Sequence, residues 1–415
     1  MKHYTFHRAA LLSAVLLSVT CAGSFAQSAN DIDPTIGNVG HLLEPTRPTA
    51  GLPNQPVRVY PIRKDYLDDQ ITCFPLTAVS HRLGEVFGLR PVIGPVGRDQ
   101  WSIRMPYDHD LEITRPWYYS TYLLRDGITV EFTPGRLTGY YRFTYPPNVM
   151  PSLLLDMLND GVSSWRFGPK NDLEGTETWQ GNVNVYMYGV FTHAGTPGTL
   201  DSNHRRSYMS FPAGTTVVGL KYAISFIDPE QAKKNFEEGI RDKSFDEVRQ
   251  HAEASWVDVV GRIRVEGGTP AQRRSFFTAL YRCHERMVDI TEDGRYYSGY
   301  DHKVETDPRP FYVDDWSWDT YLALHPLREI LHPAQEEDML QSYVRMYRQS
   351  GWMPTFPVLF GDYACMNGFH SSVIFLDAWR KGLRNFDVRT AYEGMRKNAT
   401  EATLLPWRNG PSTSL

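Results

Sequence analysis

Tyr312-Val-Asp-Asp-Trp-Ser-Trp-Asp-Thr-Tyr-Leu-Ala-Leu-His-Pro-Leu327 places three carboxylates (Asp314, Asp315, Asp319) and two indoles (Trp316, Trp318) within six residues, then turns apolar. Carboxylates accept paired hydrogen bonds from sugar hydroxyls, and indole faces cover the C–H surfaces of a pyranose ring. A cluster of this kind at the start of a helix is what a pocket gripping a terminal sugar needs. Asp315 and Asp319 are four apart and share a face if both are helical. Acidic residues also complement the positive end of a helix, which is the plainer explanation for Asp314 and Asp315. For Asp319, the neighbouring Trp318 favours a sugar contact.

Two further loops carry groups of the same chemistry. Ser350-Gly-Trp-Met-Pro354 ends a helix at Gly351 and sets Trp352 on the rim of the following loop, as a ring platform or as a cap on the helical core. Gly361-Asp-Tyr-Ala-Cys-Met-Asn-Gly-Phe-His370 brings Asp362, Asn367 and His370, all hydroxyl partners, to the start of another helix. His370 reads equally as a sugar contact and as a core histidine. Other candidates carry less. Cys283-His-Glu285 lacks the second histidine of a zinc helix, and no G-x-S-x-G elbow exists for a serine esterase. Gly37-Asn-Val-Gly-His41 has no Walker lysine after it and reads as a turn in the leader.

The elements that position these groups change character along the chain. Its 415 residues allow two or three domains. A net charge of −5 and a pI of about 6.2 exclude a basic field for nucleic acid. Lys2, His3, His7 and Arg8 precede the apolar run Ala9–Val19, and Ser24-Phe-Ala26 offers small residues for cleavage before Gln27. Residues 1–26 thus read as a signal peptide, too short to span a bilayer. Thr20 before Cys21 departs from a lipobox, which favours soluble periplasmic or secreted export over a lipid anchor. No other segment reads as a membrane span. Cleavage leaves Cys73, Cys283 and Cys365, with no metal-ligand spacing. Each reads as a buried thiol, and one disulfide remains open.

Residues 27–56 form an irregular leader. From 57 to 227 the signals are strands. Tyr118–Leu123 and Ile128–Thr133 flank Arg125-Asp-Gly127, a strong hairpin signal. Tyr140–Tyr145, Ser152–Asp156, Val183–Phe191 and Thr216–Phe226 continue an antiparallel β-sandwich. The period changes at Asp228, an N-cap followed by Pro229. A helical linker covers 228–268, with helices to about Gly239 and over Phe245–Arg262. Thr269-Pro-Ala-Gln272 is a capping box opening a helix whose apolar face is Phe276, Leu280, Tyr281, His284 and Met287. Later helices are expected over Trp318–Ile330 (bent or interrupted near Pro326), Gln335–Gln349, Ser371–Lys381 and Asp387–Ala402. Long loops between them suggest a helical barrel with its loops at one mouth.

In this order the motifs resemble glycoside hydrolase family 92, bacterial exo-acting α-mannosidases. The resemblance rests on Asp33-Pro-Thr-Ile-Gly37, Tyr118–Tyr122 and Tyr140–Pro146, Phe277-Thr-Ala-Leu-Tyr281, Asp293-Gly-Arg-Tyr296, Trp318-Asp-Thr320, Ala323-Leu-His-Pro-Leu327, Gly351-Trp-Met-Pro354 and Gly368-Phe-His370. It implies an N-terminal β-sandwich, a helical linker and an (α/α)6 barrel. It also implies inverting hydrolysis of terminal mannose by a carboxylic acid and a carboxylate base, with Ca2+ gripping sugar hydroxyls. Two departures stand out. The leader reads Gly40-His-Leu-Leu-Glu-Pro45 where relatives carry a Gly/His-rich run. The family's acid, base and most calcium ligands are expected beyond Leu415, so 269–415 is expected to be the first part of a barrel, inactive and poorly soluble alone. The sugar wall expected in this chain is Asp319, Trp318, Trp352, His370, Asn367 and Asp315, and its partner is a mannose-containing glycan. The competing readings are a non-catalytic glycan-binding protein and a different (α/α)6 enzyme, such as a trehalase-like glucosidase or a polysaccharide lyase.

Overall fold

Strand-forming residues dominate as far as residue 225, and the computed structural model gathers most of them into two antiparallel sheets. It describes residues 29–37, 47–80, 84–179, 183–363 and 369–401. The expected signal peptide lies outside these residues. The sheet strands are β1 (Phe74–Ser80), β2 (Gly84–Ile93), β3 (Ile113–Arg115), β4 (Tyr118–Leu123), β5 (Ile128–Pro134), β6 (Thr138–Thr144) and β7 (Pro151–Asp156). They continue as β8 (Ser164–Phe167), β9 (Asp172–Trp179), β10 (Val183–Phe191), β11 (Thr196–Thr199), β12 (Arg206–Ser210) and β13 (Val217–Ser225). The larger sheet has eight strands in the order β8-β9-β10-β13-β6-β5-β4-β3, and the smaller has five in the order β11-β12-β7-β2-β1. The hairpin expected at Arg125–Gly127 joins β4 to β5, with Leu123 opposite Ile128 and Gly127 at φ 65°.

Inward residues of both sheets share one core, among them Phe74, Leu89, Leu153 and Leu155 from the smaller and Phe132, Tyr141, Val185 and Tyr222 from the larger. Two phenols cross the gap: Tyr141 donates to the Pro75 carbonyl at 2.6 Å and Tyr222 to the Leu76 carbonyl at 2.5 Å. The core continues past the sheets. Val288, Ile290, Phe311, Val313, Phe356, Val358 and Phe360 belong to it, and Phe360 meets Trp179 edge-on at 5.3 Å.

Helices cover the other face of the larger sheet. These are α1 (Pro229–Gly239), α2 (Phe245–Val260) and α3 (Pro270–Arg282). Each start follows the capping signals. Asp228 accepts from the Gln231 amide at 2.6 Å, Ser244 pairs with Glu247, and Thr269 pairs with Gln272. Their apolar faces pack with Tyr118, Tyr140 and Tyr188 of the sheet and with Ala29, Ile32 and Leu52 of the leader. Burial on both faces explains why β4 reads apolar and aromatic without clean alternation.

The leader packs against these helices. Asp31 pairs with Arg273 at 2.8 Å, and Arg282 donates to the Pro34 carbonyl at 2.7 Å. On α3 the buried positions are Phe277, Thr278, Leu280 and Tyr281, while Phe276 is exposed; the helix ends at Arg282, before His284 and Met287.

After two short strand pairs come α4 (Ser317–Thr320), α5 (Leu324–Leu331) and α6 (Pro333–Ser350), and after a third pair α7 (His370–Arg380) and α8 (Val388–Glu401). The helix expected over Trp318–Ile330 is two helices, broken at 321–323 rather than near Pro326. Pro326 sits in the first turn of α5, where its missing N–H has no acceptor to serve. α5 packs on α6 and α7, and α6 on α8. Among the described residues, no helix is long and apolar enough to cross a membrane. Cys73 and Cys283 are free thiols, and Cys365 lies outside the described residues.

Tyr141→Phe removes one tether between the sheets, the hydrogen bond to the Pro75 carbonyl. Unfolding in urea is expected to show a loss of about 1–2 kcal/mol at unchanged m-value.

Candidate functional site

The loop carrying Asp314–Asp319 is fixed from below before any side chain reaches solvent. Tyr312–Val313 pairs with Val288–Asp289, which leads the chain out of the core. Asp314 then adopts φ 70°, a conformation that Asp tolerates better than most residues, and its buried carboxylate pairs with buried Arg58. The Asp315 amide donates to the Pro357 carbonyl at 2.9 Å, and the Ser317 hydroxyl donates to the Thr355 carbonyl. These contacts start α4 and aim its outer side at solvent.

Asp315 does not share a face with Asp319. It precedes α4, is fully buried, and accepts from the Tyr343 hydroxyl and from His325 Nε2 at 2.9 Å. His325 Nδ1 lies 2.6 Å from the Glu336 carboxylate, so the imidazole bridges two buried carboxylates. Burial alone would lower the His325 pKa, but Glu336 and Asp315 together push it up to about 9. Burial alone would raise the Asp315 pKa, yet the His325 charge, Arg328 and the Tyr343 phenol hold it well below the carboxylate range. Asp315 is therefore an anchor beneath the loop rather than a surface for a ligand.

Asp319 is the exposed carboxylate of the cluster, and its amide donates to the Trp316 carbonyl at 2.8 Å. Trp316 and Trp318 stack with centroids 5.8 Å apart and planes 19° apart, and Phe356 meets the Trp318 ring edge-on at 4.7 Å. The Arg286 guanidinium lies over Trp316 at 4.2 Å. Trp318 remains half-buried, so a rigid aromatic ledge runs beside a solvent-facing carboxylate.

His370 opens α7, and its ring lies 4.4 Å from that of Tyr321, two residues after Asp319. Burial pushes its pKa down, which keeps the imidazole neutral and able to accept a hydroxyl proton. Trp352 is not drawn into this group. Its ring lies under Lys397 Nζ at 4.3 Å and its amide donates to Ser350 Oγ at 3.1 Å. Asp362 is buried and bonds the Thr355 amide at 2.9 Å, the Thr355 hydroxyl at 2.7 Å and the Phe356 amide at 2.7 Å. It braces the aromatic ledge, with burial pushing its pKa up to about 6. Asn367 lies outside the described residues. Sequence reasoning missed His325, Tyr343, Arg58 and Arg286 as supports of the loop, and Glu336 behind His325, because spacing alone does not say which side chains meet in the fold.

Comparison with known proteins identifies the family. The glycosyl hydrolase family 92 N-terminal domain matches residues 32–225, and the family 92 catalytic domain matches residues 231–414. The chain belongs to glycosyl hydrolase family 92. The boundary between the two matches falls at the start of α1. Among solved family 92 structures, an inverting mannosidase of Bacteroides thetaiotaomicron is 25% identical at a TM-score of 0.82, covering 91% of this chain and 57% of that one. A second α-mannosidase of that organism is 23% identical at a TM-score of 0.81, with the same coverages. An uncharacterized secreted glycosidase of Arthroderma benhamiae is 24% identical over 339 residues, which is 71% of this chain and 40% of that protein. The chain thus spans about half the length of these relatives. Among the described residues of this family 92 chain, no three His, Cys, Asp or Glu side chains gather in a group that could hold a metal ion.

His325→Asn leaves Asp315 and Glu336 buried without the imidazolium that bridges them. The expected cost is about 3–5 kcal/mol in unfolding free energy at pH 6. In the native protein the raised His325 pKa gives a contribution complete below about pH 6.5 and lost as pH rises through about 9. The depressed Asp315 pKa gives a contribution present above about pH 4 and lost in stronger acid. Thermal melts between pH 7 and 10 should therefore slope downward in the native chain and less so in the variant.

Proposed function

We propose that this chain belongs to an exported α-mannosidase that removes terminal mannose from glycans with inversion, and that it supplies part of the wall holding the terminal sugar. The two sheets are read as the β-sandwich of such an enzyme. Helices α1 and α2 are read as its linker, and α3–α8 as the opening part of an (α/α)6 barrel. Family membership across both regions supports the reaction class. The observation that carries the sugar contact is Asp319, exposed beside the Trp318 ledge within the stretch matched by the catalytic-domain family model.

In this reading Asp319 accepts hydrogen bonds from adjacent hydroxyls, Trp318 covers the C–H face of the ring, and His370 accepts from a further hydroxyl. A ledge locked by Phe356 and Asp362 holds these groups without reorganisation on binding. Hydrolysis with inversion needs an acid and a base about 6.5–9.5 Å apart around a water. Neither role is assigned to a described residue. Calcium is retained as a requirement of the complete enzyme, and no step is derived through it. Export to the periplasm or outside the cell follows the N-terminal signal.

Titration of the chain with D-mannose and α-1,2-mannobiose tests the wall. Asp319→Ala should weaken binding at least about tenfold, the value of a lost charge-assisted bond pair, with an unchanged thermal midpoint. Equal affinity in the variant would remove Asp319 from the reading. Chelation with EDTA should leave the thermal midpoint of this chain unchanged; a fall of several degrees would reveal a stabilising ion.

A further inference from the structure

The outer face of the five-stranded sheet carries a cleft separate from the Trp318–Asp319 ledge. We propose that this cleft is a second saccharide-binding site, taking a short neutral oligosaccharide.

Alternation along the central strand β7 builds its floor. Leu153 and Leu155 point into the shared core, so Leu154 and Asp156 point outward. Across the register, Asp156 stands opposite Arg206 on one side and Gly88 on the other. Leu154 joins Val92 and Trp101 in a small apolar cluster of its own. The turn Arg98–Trp101 forms one wall, and the segments at 156–160 and 200–206 form the other. The open volume is about 850 Å³, within the range of small-molecule sites, about 300–1,000 Å³.

One polar group in this cleft lacks a hydrogen-bond partner. The Trp101 side chain is 5% exposed, and its buried indole N–H meets no acceptor. The partly exposed Asp156 carboxylate is ion-paired with Arg206 Nε at 3.6 Å, and burial outweighs that pairing to raise its pKa. A buried donor left without an acceptor is costly unless something satisfies it. Exposed Arg98 and Asp160 add a donor and an acceptor at the rim. Neighbouring charges are already engaged. Asp201 accepts from the Arg205 and Arg206 amides at 2.9 and 3.0 Å, and Arg205 donates to the carbonyls of Gly161 and Asn159.

The charges lining the cleft cancel, with three guanidinium groups facing three carboxylates. A phosphorylated or sulfated ligand would need a surplus of cations. A ligand whose hydroxyls both donate and accept fits the mixture. That is a neutral saccharide. The argument does not use Asp319, so the two sites stand or fall separately.

The test uses the full chain with Asp319→Ala, which silences the proposed first site. Native gels containing soluble α-mannan, laminarin or dextran sulfate read binding as retardation. Retardation by α-mannan or laminarin is expected, and it should fall at least tenfold on adding Asp156→Asn together with Arg98→Ala. Trp101→Phe, which keeps the ring and removes the N–H, should weaken it more modestly. Thermal midpoints of these variants report whether each is folded; Arg98→Ala alone, at an exposed position, provides the reading if the others are not. No retardation in either neutral polymer, retardation by dextran sulfate alone, or retardation indifferent to all these changes would overturn the proposal. If the cleft variants abolish all binding while Asp319→Ala alone changes nothing, the cleft stands and the Asp319 wall does not.

Discussion

Asp315 is the point on which the candidate wall depends. A carboxylate with no exposure is tolerable only when its charge is answered locally, and here two side-chain donors answer it while the backbone is pinned separately. Its own amide reaches Pro357, Tyr343 donates from α6, and His325 donates from α5. Glu336 in turn holds the far nitrogen of His325. Breaking such an arrangement strands a charge in a low-dielectric interior, whereas keeping it fixes three elements in one register. The ledge of Trp316, Trp318 and Phe356 inherits that fixity because α4 begins two residues after Asp315.

A division of labour among the carboxylates follows. Asp314 and Asp315 face inward and engage Arg58 and His325. Asp362 faces inward and engages backbone amides. Asp319 alone of the four turns outward. Clustered acids would repel if all were exposed on one loop, so burying and neutralising three of them leaves the fourth in a defined setting. The aromatic rings serve both ends: their edges seal the interior, and one face borders the solvent.

Much of this was legible in the sequence where the signal was local. The caps at Asp228 and Thr269, the hairpin at Asp126-Gly127 and the change of period after residue 227 each depend on neighbours a few positions apart, and each appears where the residues place it. The indole–carboxylate cluster was recognisable by composition. Its internal roles were not, because the choice between Asp315 and Asp319 is made by His325 and Tyr343, ten and twenty-eight residues downstream. The break at 321–323 was misplaced for a related reason: Pro326 marks a helix start as readily as a kink, and only the path of the chain decides. β2 escaped notice because Gly88 and Pro91 dilute its pattern, although Val86, Phe87 and Leu89 are wholly buried.

The pairing of Arg58 with Asp314 joins a residue from the opening stretch of the chain to the loop that carries the ledge, and the apolar core runs uninterrupted between the same two regions. Neither portion is therefore an autonomous module. A recombination event that exchanged one half for a distant relative's would orphan an ion in each and expose matching greasy surfaces. Descent should then have carried the two portions together, with drift permitted on the periphery and forbidden along this seam.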